Sequence, residues 1–180
     1  MRVFLDRLYL LSGYAAGGFL IAIFILMMIL SAGRPLGINV PAGDDFVSWC
    51  MAATAFLGLA HTFRSGEMIR VGLLIDRLDG RVRHAVEILA LVIGTGFIGF
   101  FAWHAARMTY DSFRFHDMSQ GVIAVPLWIP QLGYSGGLLI LLVAFVAELA
   151  HVLAGHLPRY EKPKPRTAEE VVERAIQSGV

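Results

Sequence analysis

The chain has 180 residues, 57% of them hydrophobic and 16% charged, with a formal net charge of +1. Soluble domains carry about 25% charged residues, so this is a membrane composition, and its near-neutral balance argues against nucleic acid as a partner. The single cysteine, Cys50, excludes an intrachain disulfide and a cysteine-based zinc site.

Four apolar spans follow in chain order: Leu8–Ser31, Phe46–Phe63, Val86–Ala106 and Pro126–Leu149. Each approaches the ~20 residues that a helix needs to cross ~30 Å of hydrocarbon. Backbone groups in lipid must be satisfied internally, and no period-2 pattern suggests a barrel. The predicted fold is therefore an all-α membrane protein with four transmembrane helices. Arg2 and Arg7 precede the first span as they would a signal peptide. That span is longer than the usual core of about 7–15 residues and lacks a convincing Ala-x-Ala site before Arg34, so it reads as a retained first helix.

The first connection, Ala32–Asp45, is rich in glycine and proline and ends on Asp44 and Asp45, whose carboxylates suit the positive end of the second helix. The second connection is of a different kind. If Glu67–Arg83 is helical, Arg70, Arg77 and Arg81 fall on one stripe, and Val71, Leu74, Ile75 and Leu78 recur at i, i+3, i+4 and i+7 beside it. The spacing predicts an amphipathic helix over about 66–83, lying at the membrane surface with its arginines toward anionic headgroups. Asp76 fits neither face. The third connection, about Arg107–Val125, carries Asp111, Arg114, His116 and Asp117, and Pro126 is expected to open the fourth helix. Residues 1–157 thus form the transmembrane domain. Residues 158–180 form a tail expected to be mobile, with Pro158, Pro163 and Pro165 in its linker and a capping-box pattern, Thr167-Ala-Glu-Glu170, starting a short helix.

Orientation follows from the basic residues. With both termini cytoplasmic, twelve lie inside: Arg2, Arg7, Arg64, Arg70, Arg77, Arg81, Arg83, Arg159, Lys162, Lys164, Arg166 and Arg174. Only Arg34, Arg107 and Arg114 lie outside, which predicts N-in/C-in. Trp49, Trp103 and Trp128 fall near the outer ends of helices two, three and four, as an interfacial aromatic belt would.

Residues able to carry chemistry are few. His61 and His151 near the inner ends of helices two and four suggest a haem b or quinone anchor as an alternative, but His84 and His104 sit at opposite ends of helix three and complete no pair. Glu87 and Glu148, carboxylates at membrane depth, are candidates for a buried polar contact with a partner. Gly17-Gly18, Gly94-Thr-Gly96 and Gly136-Gly137 are candidates for close helix contacts. No nucleophile–base pair, metal spacing or phosphate-binding glycine motif stands out, so neither an enzyme nor a cofactor is expected.

Arg64-Ser-Gly-Glu-Met-Ile-Arg-Val71, supported by Ala124-Val-Pro-Leu-Trp-Ile-Pro130 and Gly136-Gly137, resembles the small, DctQ-like membrane subunit of tripartite ATP-independent periplasmic (TRAP) transporters. Order, spacing and the four-span plan agree over roughly residues 5–155. Met68 stands where that family often has a histidine and Gly72 where it has an acidic residue, while Glu67, Ile69, Arg70 and Val71 agree. The resemblance implies a multi-pass protein of the bacterial inner membrane. It also implies a non-catalytic scaffold for a large sodium-coupled subunit, which takes up an organic acid delivered by a periplasmic binding protein. Arg64, Glu67, Ile69, Arg70, Val71, Leu74, Arg77, Leu78 and Arg81 are then the candidate contacts with partner or membrane surface. Asp44, Asp45, Arg114 and Asp117 are the candidate contacts with the binding protein.

Overall fold

The computed structural model describes residues 2–33, 35, 37, 40–65 and 80–154. They form four helices: α1 (Arg2–Gly33), α2 (Gly43–Ser65), α3 (Gly80–Phe115) and α4 (Trp128–Leu153). All four are long and apolar enough to cross a membrane, and no strand occurs among the described residues. At 1.5 Å per residue, α1 and α3 are about 48 and 54 Å long, well beyond the ~30 Å of hydrocarbon, so they tilt or project past it.

The expected spans are all present, but their ends move. Residues 107–115, expected in a loop, are the last turns of α3. Charged side chains there can reach water from a helix that keeps its backbone bonds internal, so Arg107, Asp111 and Arg114 do not stop it. At its other end α3 begins at Gly80 and takes in residues 80–83, which were expected in the surface helix. The rest of that helix, residues 66–79, and residues 155–180, which include the whole expected tail 158–180, lie outside the described residues.

Pro126 does not open α4. It forms an isolated antiparallel bridge with Met118, and its carbonyl accepts from the Ile129 amide at 3.1 Å. The proline in the first turn is Pro130, where a missing N–H leaves no intrahelical bond unmade.

The helices stand in the spatial order α1, α2, α4, α3. α1 packs on α2, α2 on α4 and α4 on α3, while α1 touches α4 slightly and α3 packs substantially on neither α1 nor α2. This is an open row, not a closed bundle. α4 has helices on both flanks: its buried residues Gly137, Leu141, Ala144, Glu148 and Val152 recur at i, i+4, i+7, i+11 and i+15, and Ser135 and Leu138 are buried as well. α1, at an edge, buries a narrower stripe of Tyr9, Ser12 and Ala16.

Small residues let the central pair come close. A Cβ on Gly137 would lie 2.5–2.7 Å from the backbone of Phe56 and Leu57, and one on Gly133 would lie 2.7 Å from the Ala53 Cβ. Gly133 and Gly137 thus form a small-x-x-x-small contact between α4 and α2. Of the glycines singled out by sequence, Gly94 meets Phe145 and Gly137 meets α2, whereas Gly17, Gly18, Gly96 and Gly136 face open space.

Candidate functional site

At one end of the row the start of α1, the end of α2, the start of α3 and the end of α4 share a core. Tyr9, Ala60, Phe63, Leu91, Leu141, Ala144 and Val152 are buried there, and the Phe63 and Phe145 rings stack at 4.1 Å. Set into this end are both carboxylates singled out above, Glu87 at 8% exposure and Glu148 at 5%. Their burial is supplied by the chain's own helices. Neither is free of interactions, which is what burial of a carboxylate demands. Ser12 is buried nearby and donates to the Tyr9 carbonyl at 2.9 Å.

The arginine-bearing connection joins this end of α2 to α3. Arg64 lies in the last turn of α2 and Arg81 in the first turn of α3. Glu67, Ile69, Arg70, Val71, Leu74, Arg77 and Leu78 lie outside the described residues. α2 and α3 are not neighbours, because α4 stands between them.

The opposite end is built from the start of α2, the end of α3, the turn 116–127 and the start of α4. Asp44 and Asp45 occupy the first turn of α2, as expected, and Ser48 Oγ donates to the Asp44 carbonyl at 2.9 Å. α3 ends in a left-handed residue, His116 at φ 56°, after which the Asp117 amide turns back to the Ser112 carbonyl at 3.1 Å. That is a Schellman closure, with histidine where glycine is usual. The turn then doubles back on itself: the Ser119 amide donates to the Val125 carbonyl at 2.8 Å and the Leu127 amide to the Asp117 carbonyl at 2.9 Å. Gly121 brings the turn against α2, since a Cβ there would collide with the Asp45 carboxylate. Phe113 and Trp128 meet edge to face at 5.7 Å, joining the end of α3 to the start of α4. Asp45 therefore helps seat this turn, while Asp44 and Arg114 are exposed, the Arg114 guanidinium 5.7 Å from the Phe115 ring centre.

Asp117 is carried elsewhere. With His104, Arg107, Met108, Asp111 and Ser112 it lines a groove of about 370 Å³ on α3. Sequence reasoning named most of these residues singly and missed their convergence. The signal was available once helix is continued past Ala106: 104, 107, 108 and 111 follow i, i+3, i+4 and i+7.

A further feature is apolar. Phe97, Phe100 and Trp103 on α3 are 66%, 61% and 66% exposed, and Leu20, Ile21 and Phe24 on α1 are 58–65% exposed. These are the two edges of the row, each packed mainly on a single neighbour. Of the histidines, His61 is exposed with its ring against Gly13, His151 is half-buried and engaged, and His104 is exposed with its ring 4.4 Å from that of Phe100.

A search of curated proteins finds no match. A family model described as tripartite ATP-independent periplasmic transporters, DctQ component, matches residues 21–155, three quarters of the chain.

Proposed function

The chain belongs to the DctQ family, the small component of tripartite ATP-independent periplasmic transporters, and from that premise we propose that it is a non-catalytic scaffold for a larger membrane subunit. In this reading the large subunit is sodium-coupled and takes up an organic acid that a periplasmic binding protein delivers. In the same reading the chain lies in the bacterial inner membrane, and the distribution of its arginines and lysines supports both termini being in the cytoplasm.

The observation that carries the scaffold role is the open row. An open row, with α1 packed mainly on α2 and α3 mainly on α4, leaves more apolar surface than the chain can cover itself. Packing against a partner's helices, not chemistry, is what such surface can do. A standalone carrier would be expected to break helices around a midplane site, and the four spans among the described residues run unbroken. The family match leaves the haem or quinone anchor without support.

Within this reading the connection with Arg64, Glu67, Ile69, Arg70, Val71, Leu74, Arg77, Leu78 and Arg81 braces the assembly at the cytoplasmic surface. That α2 and α3 are held apart by α4 fits a connection of this length. Asp44 and Arg114, exposed at the other end, face the binding protein. Purification with and without a co-expressed large subunit tests the role: the pair is expected to elute as one particle. Stable elution of this chain alone, with no co-purification, would sink the reading. Replacing Arg70 and Arg77 together by Glu is expected to lower recovery of the pair and uptake with it, and unchanged values for both would remove the bracing role.

A further inference from the structure

The groove on α3 is charged, and its charges are of both signs. Arg107, His104, Asp111 and Asp117 line it together with Ser112 and Met108. Among the described residues no ion pair or hydrogen bond joins the side chains of Arg107, Asp111 and Asp117 to one another. Local geometry explains this in part. Arg107 precedes Asp111 at i, i+4, the weaker orientation for a helical pair, since the negative residue is better placed N-terminal to the positive one. Asp117 is held in place by the Schellman closure, which folds the chain after His116 back over the Ser112 carbonyl. A cation and two carboxylates thus gather around one opening without satisfying one another.

Depth narrows the choice of partner. Trp103 and Tyr110, 66% and 61% exposed, stand seven residues apart on one strip of α3 beside the groove. Exposed Trp and Tyr of this kind sit at the headgroup level of a bilayer. A lipid headgroup occupies that level. We propose that the groove binds the headgroup of a phospholipid carrying both a phosphate and a primary ammonium, with the phosphate on Arg107 and the ammonium on Asp111 and Asp117. Arg107 and Asp111 are about one 5.4 Å helical turn apart, comparable with the spacing of two charges joined by a two-carbon link. A primary ammonium donates hydrogen bonds to both carboxylates, which a quaternary ammonium, with no N–H, cannot do. The leaflet is the outer one under the orientation proposed above.

Native mass spectrometry of the full chain in detergent, titrated with phosphatidylethanolamine, phosphatidylcholine or phosphatidylglycerol, tests this. Phosphatidylethanolamine is expected to be retained about tenfold better than the other two, as charge-assisted bonds to the ammonium would give. The double variant D111N/D117N should drop its retention to the phosphatidylglycerol level, R107Q should lose both, and R107K should recover part. Circular dichroism and elution position confirm that each variant folds. Equal retention of the three lipids by the unmodified chain overturns the proposal, as does D111N/D117N with its preference intact. Variants that keep their lipid preference but lose capture by the periplasmic binding protein also overturn it, and assign the groove to that protein.

Discussion

His116 closes α3 in a conformation that disfavours a side chain, since a left-handed residue other than glycine costs roughly 1–2 kcal/mol. Glycine would remove that strain but add entropy to the unfolded chain, so His116→Gly should stabilise the fold by a net ~0.5–1 kcal/mol. A rise in the thermal midpoint in detergent checks this, and a fall would mean that the imidazole makes a contact worth more than the strain. Glu148 behaves oppositely. It is 5% exposed and engaged, so Glu148→Ala gives up that interaction and opens a void in a packed end, at a cost of ~2 kcal/mol or more. Phe97→Ala, at a 66% exposed position, should leave the isolated chain's midpoint nearly unchanged. Equal effects of these two substitutions would contradict the burial pattern. The carboxylates were legible in the sequence as unusual for their depth, but their packing inside the row was not, because burial depends on helices far away in sequence.

Helix identity was written in hydrophobic run length, and all four spans follow from it. Helix ends were less legible. The last turns of α3 carry Arg107, Asp111 and Arg114, which read as loop by polarity but stay helical because an interfacial helix satisfies both backbone and charge. Contacts between helices turn on single positions. Gly136 and Gly137 are adjacent and chemically identical, yet only Gly137 faces the α2 backbone. Gly137→Ala should therefore force α2 and α4 apart and destabilise the fold by roughly 1–3 kcal/mol, as overpacking does. Gly136→Ala, into open space, should be neutral or stabilising by up to ~1 kcal/mol through helix propensity. Paired thermal denaturation distinguishes them, and the reverse order would mean that α4 is rotated about its axis.

The open row makes its own prediction. The Gly58 Cβ position lies 3.8 Å from the Ala16 Cβ, close to the ~3.8 Å that a disulfide needs. In a Cys50→Ser background, A16C/G58C should therefore cross-link readily on oxidation. I21C/F100C, across the non-adjacent α1 and α3, should not cross-link within one chain. An α1–α3 bond would show a closed bundle, and with it the exposed edges on which the scaffold role rests would disappear. Under the scaffold reading the same edges are where a partner would pack: their unpacked surface is lipid-compatible but also matches another protein's helices.

Membrane residence, the number of helices, the asymmetry of basic residues and the resemblance to DctQ-like subunits all came from local pattern: run length, charge and short motifs. Such features depend on neighbours a few residues away, so they survive in one dimension. The row order, the choice of Gly137 over Gly136, the burial of Glu87 and Glu148, and the gathering of Arg107, Asp111 and Asp117 around one groove came from three dimensions. Each depends on how a helix is rotated and which helix lies beside it. In lipid that is set by close packing and not by hydrophobicity, because the bilayer is as apolar as the helix faces that compete for it.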